Sequence, residues 1–140
     1  MKTYSIALVV CALISASLHA QLLPITAAEP VAGALDKAQR EFASDAYLTN
    51  VVFAPVQASG ITVAFDLATG KATGWLYRFR SPSADSSVFY IAAKIPLLGL
   101  QIISPPAGMP IPIPALPEEG DFSPPWVDSP QCWAGWRAGG

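Results

Sequence analysis

Apolar residues recur with the period of a helix and then with the period of a strand in the first two thirds of this 140-residue chain. The helical set is spaced at steps of four, three and four, which places its members on one face of a helix: Val31, Leu35, Ala38 and Phe42. Pro30 suits a first helical position. Asp36 and Arg40 form an i, i+4 pair on the exposed side. A helix from Pro30 to about residue 44 or 45 is predicted.

Strict alternation follows and predicts strands. The same-face sets are Tyr47, Thr49, Val51 and Phe53; Ile61, Val63 and Phe65; and Trp75, Tyr77 and Phe79. Residues 66–71 interrupt the alternation, and Gly70 can take the positive φ of a tight turn. Residues 61–80 are therefore predicted to form a β-hairpin and residues 88–95 a fourth strand. The short apolar run at residues 95–103 is interpreted as a buried strand end.

The fold class predicted for residues 21–104 is α+β, with one N-terminal helix packed on a four-stranded antiparallel sheet. The pattern ends at residue 104, and nine prolines fall between Pro105 and Pro130. Proline lacks a backbone N–H, so residues 105–127 are predicted to form an extended, proline-rich linker or strap. A short C-terminal helix is expected in residues 128–140, with Asp128 or Ser129 as its N-cap.

The predicted sheet carries apolar residues on both faces. The helix covers one face, and the other includes Leu76, Phe89 and Ile91. Either the proline-rich strap or a partner protein covers this second face, because a small domain has little further material for it. Candidate contact residues are the large aromatic side chains of one strand and of the C-terminal helix: Trp75, Tyr77, Phe79, Trp133 and Trp136. For the strand aromatics, a role in the core is the alternative.

The first twenty residues have the three parts of a secretory signal. Lys2 supplies the positive charge, residues 6–14 are apolar, and small residues end at Ala20. Cleavage after Ala20 is expected, with cuts after Ser17 or Ala28 as alternatives. The apolar run is shorter than the ~20 residues that span a bilayer. The chain is therefore expected to be secreted or periplasmic, with no transmembrane segment after cleavage.

Removal of this leader changes the available chemistry. The single histidine, His19, leaves with it, so the mature chain has no imidazole for acid–base catalysis or metal binding. Cys132 is then the only thiol, and its state, buried, exposed or paired with another chain, stays open. The net charge becomes −3, which argues against nucleic acid as a partner. Gly70-Lys71 lacks the rest of a phosphate-binding loop.

Carboxylates are the remaining candidates for chemistry. The acidic residues near the C-terminus match no calcium loop and indicate a solvated linker: Glu118, Glu119, Asp121 and Asp128. A pair of carboxylates acting as acid and nucleophile needs no histidine. Asp45, Asp66 and Asp85 lie near predicted turns, however, where aspartate usually binds the backbone. No catalytic residue, cofactor or metal ligand is assigned.

Two segments resemble small secreted bacterial PepSY-like domains. They are Asp66-Leu67-Ala68-Thr69-Gly70-Lys71-Ala72 and Trp75-Leu76-Tyr77-Arg78-Phe79, together with the preceding helix. Trp126-Val127-Asp128-Ser129 resembles the start of a second such unit. The resemblance implies a non-enzymatic module of helix and antiparallel sheet outside the cytoplasm, associated in some members with restraining peptidases. The expected function is a non-catalytic binding module with a protein partner, a peptidase or another envelope protein. A carboxylate-dependent hydrolase and a structural cell-envelope component are the alternatives.

Overall fold

A computed structural model describes residues 22–53, 57–58, 61–105 and 128–138. The predicted leader and most of the proline-rich segment lie outside the described residues. The elements in chain order are α1 (Val31–Glu41), β1 (Tyr47–Val52), β2 (Gln57–Ala58), β3 (Ile61–Thr62), β4 (Phe65–Asp66), β5 (Lys71–Ala72), β6 (Trp75–Ser81), β7 (Ser86–Ile95), β8 (Gly99–Ile103) and α2 (Ser129–Ala138).

One antiparallel sheet of four strands, in the order β1-β6-β7-β8, forms the centre of the molecule. The helix α1 packs on one of its faces, so the predicted α+β class, with a helix on a four-stranded antiparallel sheet, is confirmed. The core between them combines small helix residues with large strand residues. Its larger members are Ile25, Leu48, Trp75, Tyr77, Phe79 and Tyr90.

Small side chains bring α1 close to the sheet. Ala34 and Ala38 are fully buried, and a Cβ on Gly33 would lie 2.9 Å from Cδ1 of Ile102 in β8. The predicted apolar face is correct, and the Asp36–Arg40 pair forms at 2.9 Å. The helix ends at Glu41, earlier than predicted, because the amides of Phe42 and Ala43 both donate to the Ala38 carbonyl and turn the chain toward β1.

The predicted strand composition of the sheet needs two corrections. The run at 61–65 does not join the sheet: β3 pairs with β2, and β4 pairs with β5 across a turn in which Gly70 has φ +71°. The predicted hairpin of residues 61–80 is thus reduced to a short β4–β5 ladder. The predicted strand at residues 88–95 is present within β7, and the place of the run at 61–65 in the sheet is taken by β8, a segment that the sequence pattern interprets as a strand end because Pro96 interrupts it.

Pro96 initiates a turn that reverses the chain between β7 and β8. The Leu98 amide donates to the Ile95 carbonyl at 3.2 Å, and Leu97 has φ +69°. Proline at the second position and positive φ at the third are typical of a type II turn. The chain then pairs back along β7, with Ile95 opposite Gly99 and Ile91 opposite Ile103.

A register shift interrupts the alternation predicted for β1. Leu48 pairs with Phe79 but Asn50 pairs with Arg78, so the shift falls between Leu48 and Asn50. As a result Leu48, Thr49 and Asn50 are all buried while Tyr47 is exposed. The predicted face of Tyr47, Thr49, Val51 and Phe53 is therefore broken by a bulge, which bends this edge strand.

The segment before α1 pairs with β7 beyond the point where the β6–β7 ladder ends, at Trp75 and Ala92. Leu23 forms an antiparallel bridge with Lys94 of β7, and Ile25 forms one with Ala72 of β5. The segment thereby connects the β4–β5 ladder to the main sheet. Nothing in the hydrophobic pattern predicted this role.

Candidate functional site

The strand aromatics proposed as a contact surface lie in the core. Trp75, Tyr77 and Phe79 are each 7% exposed or less and face α1. The ring of Phe79 lies 6.1 Å from that of Tyr90 on the neighbouring strand, a tilted aromatic contact. In this fold the three side chains are not accessible to a partner, and their burial supports the core interpretation.

Two of these aromatics hold the N-terminal segment by their polar atoms. Trp75 Nε1 donates to the Ile25 carbonyl at 3.0 Å, and the Tyr77 hydroxyl donates to the Ala27 carbonyl at 2.7 Å. Burial raises the pKa of Tyr77, and the negative charges of Asp128 and Glu29 raise it further. Tyr77 is therefore a neutral hydrogen-bond donor throughout the physiological pH range.

The start of α2 binds the same segment from its other side. Ser129 Oγ accepts from the Ala27 amide at 3.0 Å, and Asp128 Oδ1 accepts from the Ala28 amide at 2.9 Å. Residues separated by about a hundred positions thus meet directly. Trp133 and Trp136, the other proposed contact residues, lie on α2, but their side chains are outside the described part of the structure. Cys132 is exposed on this helix.

The three aspartates predicted near turns, Asp45, Asp66 and Asp85, bind turns and loops. Asp45 accepts from Ser81 Oγ at 2.5 Å and from the Ser83 amide at 2.9 Å, joining the α1–β1 loop to the β6–β7 turn. These hydrogen bonds, that from Ser81 first, lower the pKa of Asp45 despite an opposing effect of burial.

Asp66 and Asp85 also bind groups in or near turns. Asp66 accepts from the Ala68 amide at 2.8 Å and from Thr69 Oγ1 at 2.6 Å, within its own turn. Asp85 lies 3.7 Å from Arg80 on the exposed β6–β7 turn. In the described residues no group of three or more His, Cys, Asp or Glu side chains is placed to hold a metal ion. The hydrogen bonds of Asp45 and Asp66 and the proximity of Asp85 to Arg80 give each of the three aspartates a structural partner.

The second face of the sheet carries an apolar row that crosses all four strands. Val52 pairs with Leu76, Leu76 with Ile91, and Ile91 with Ile103. Leu76 is only 3% exposed, although it does not belong to the core between the sheet and α1. Val52 and Ile91 are half-buried. The strand register therefore shows apolar residues on both faces of the sheet, as the sequence predicted.

A polar and aromatic pair continues this face beside the apolar row. The guanidinium of Arg78 lies 5.9 Å from the ring centre of Phe89, a cation–π distance, and its Nε donates to Ser87 Oγ at 3.2 Å. Phe89 is half-buried. Phe89 and Ile91 are therefore the partly exposed residues that a cover on this face would contact.

Large exposed apolar side chains gather around β8, a feature that the sequence interpretation missed. Six such residues occur among those described, and Leu97, Leu98 and Ile103 fall within seven positions of one another. The adjacent pair Leu97-Leu98 between Pro96 and Gly99 was the signal available in the sequence. Proline and glycine around two residues favour a turn, and turns lie on the surface.

Comparison with protein-family models, with curated proteins and with solved structures found no significant match. Among the described residues, no helix is both long enough and apolar enough to cross a membrane.

Proposed function

We propose that this chain is an exported, non-catalytic binding module that acts by contact of its folded surface with another protein of the cell envelope. The observation that carries the proposal is the second sheet face, where Phe89 and Ile91 are partly exposed beside the buried Leu76. Apolar side chains that share a face and stay partly exposed are typical of an interaction site. The resemblance to PepSY-like domains favours a peptidase as the partner.

The packing of the N-terminal segment favours cleavage after Ala20 over cleavage after Ala28. A cut after Ala28 would remove the buried Ile25 and the carbonyls that Trp75 Nε1 and the Tyr77 hydroxyl bind. Buried donors left without partners cost about 1–3 kcal/mol each. A cut after Ala20 retains the whole segment. This proposal is tested by expressing the full chain in a bacterium and measuring the intact mass of the product: a mass beginning at Gln21 in the exported fraction supports it, and Met1 retained in the cytosol contradicts it.

The structural interactions of Asp45, Asp66 and Asp85 support the proposal that the chain is not catalytic. Each binds a turn, a loop or a neighbouring charge. Turnover of a glycoside or another small molecule by the purified chain, lost on substitution of two of these acids, would instead favour the carboxylate-dependent hydrolase. Co-purification with envelope fragments in the absence of a defined protein partner would favour the structural component.

The binding face is tested by substitution of Phe89, which is half-buried beside the apolar row. In a crosslinked pull-down of the exported chain, at a temperature below the melting temperature measured for each variant, Phe89→Ser is expected to remove the partner while the variant remains folded by circular dichroism. Leu67→Ser is the matched control, because Leu67 is exposed on the β4–β5 turn, away from this face. Equal capture by the parent chain and by Phe89→Ser would contradict the assignment of the face.

The proline-rich segment is the competing cover for the same face. Residues without backbone N–H groups can lie on apolar side chains without leaving donors unpaired. Under this proposal, deletion of residues 104–140 exposes the sheet and causes dye binding or aggregation. The deletion also removes Asp128 and Ser129, so the double variant Asp128→Ala/Ser129→Ala, which loses only their hydrogen bonds, is the control and is expected to bind less dye. A deletion variant as soluble and stable as the parent would contradict the strap and leave the face to a partner.

A further inference from the structure

The two edges of the four-stranded sheet differ in how they are protected. The edge strand β1 contains the register shift between Leu48 and Asn50, and a bulge of this kind prevents the addition of another strand. The edge strand β8 pairs regularly with β7 over all five of its residues. It contains neither proline nor a charged side chain, which are the usual protections of an edge.

The turn that precedes β8 holds two exposed leucines in one conformation. Leu97 is fully exposed and has φ +69°, a region that costs a leucine roughly 1–2 kcal/mol. The side-chain amide of Gln101 donates to the carbonyls of Leu98 and Leu100 at 2.9 and 3.1 Å. The turn is thereby held in place, although neither leucine is buried by the described fold. A pre-organised apolar group of this kind loses little entropy on binding.

We propose that β8 pairs with β8 of a second copy of this chain, in an antiparallel two-fold dimer centred on Gln101. A pairing centred there aligns all five residues of the strand and sets Leu100 opposite Ile102 of the second copy. It also places the Leu97-Leu98 turn of each chain beside the other chain's end of β8, where Ile103 is exposed. The exposed apolar residues at the two ends of the strand are therefore complementary to each other.

Charge also permits this contact. β8 and its turn have no ionisable side chain between Lys94 and the end of the strand, and Lys94 is bound to Glu29 at 2.8 Å. Two copies can therefore approach along this edge without like-charge repulsion between strands. The dimer joins two four-stranded sheets into one and uses Ile103 of the second face while leaving Phe89 and Ile91 free, so it goes beyond the proposed function and is tested by other variants.

Sedimentation of the chain from Gln21 to Gly140 tests the dimer. An interface built on one short strand pair is smaller than the standard ~1,600 Å², so association is expected in the micromolar range, between about 1 and 500 µM. Leu98→Lys is expected to raise the dissociation constant about tenfold or more, because the charge must be buried against the second copy. Leu67→Lys is the matched control, since Leu67 and Leu98 are 65% and 69% exposed.

A second variant separates association from folding. Leu97→Gly relieves the positive φ and removes the apolar side chain, so it is expected to raise the melting temperature and to weaken the dimer. A chain that sediments with the mass of one copy over the whole range overturns the proposal. A dimer that Leu98→Lys and Leu67→Lys weaken equally, or that neither weakens, also overturns it, because the interface then lies elsewhere.

Discussion

Ile25 is the residue through which the N-terminal segment packs into the core. It is 1% exposed, and its carbonyl accepts both from the Ala72 amide at 3.0 Å and from Trp75 Nε1 at 3.0 Å. Replacement by alanine keeps these main-chain hydrogen bonds and removes only apolar side-chain atoms. The change therefore measures the packing of the segment alone.

The expected loss follows from the size and burial of the side chain. Three carbon atoms leave a site that is closed to water, at about 0.8 kcal/mol for each in transfer free energy. The cavity that remains adds to this, which brings the total to about 2–4 kcal/mol. A domain of this kind has a free energy of unfolding of about 5–15 kcal/mol, so Ile25→Ala is expected to remove a large part of it.

Urea denaturation followed by tryptophan fluorescence measures this loss. Leu23→Ala is the matched control in the same segment, because Leu23 is bridged to Lys94 through its main chain while its side chain is 42% exposed. The control is expected to cost less than about 1 kcal/mol. If the two variants unfold at the same urea concentration, the N-terminal segment does not pack against the sheet as described.

Three further changes probe the hydrogen bonds that hold the molecule together. Tyr77→Phe leaves the Ala27 carbonyl without its donor and is expected to cost about 1–2 kcal/mol in urea denaturation. Because the pKa of Tyr77 is raised in the fold, the stability linked to it is present below about pH 10 and is lost as the pH rises further; Tyr77→Phe should reduce this alkaline loss. The pKa of Asp45 is lowered, so its contribution is present above about pH 4 and disappears as the pH falls; a melting curve of Asp45→Asn that keeps the parent's acid dependence would contradict this. Ser129→Ala is expected to speed hydrogen exchange at the Ala27 amide more than at amides of β7.

The parts of the fold that were predicted correctly depend on neighbours in the sequence. The face of α1 follows from helical spacing, and the buried face of β6 follows from alternation. The same alternation did not reveal the partners of β6. It pairs with β1 and β7 rather than with residues 61–65, because pairing depends on contacts that are distant in the sequence.

The errors at β8 and β1 have two different local causes. Pro96 and Gly99 favour a turn, but a leucine rarely adopts the positive φ of Leu97, so the apolar pattern alone did not show that the chain reverses there. The bulge in β1 adds a residue to one strand, after which a period of two assigns the wrong faces. The exposed apolar edge of β8 escaped prediction for the first of these reasons.

The candidate contact residues show a further limit of pattern interpretation. An aromatic stripe on a strand has the same spacing whether it faces solvent or a helix. The decisive observation was the burial of Trp75, Tyr77 and Phe79 under α1 and the N-terminal segment. That segment was absent from the prediction because Leu23, Pro24 and Ile25 are too few to show a period.

The hydrogen bonds from Ala27 and Ala28 to Ser129 and Asp128 join the earliest and latest described parts of the polypeptide. Residues 128 and 129 follow all eight described strands in the chain. A ribosome therefore delivers the acceptors of Ala27 and Ala28 only after those strands have been synthesised. These hydrogen bonds are among the late contacts of synthesis, although one partner of each belongs to the earliest described segment.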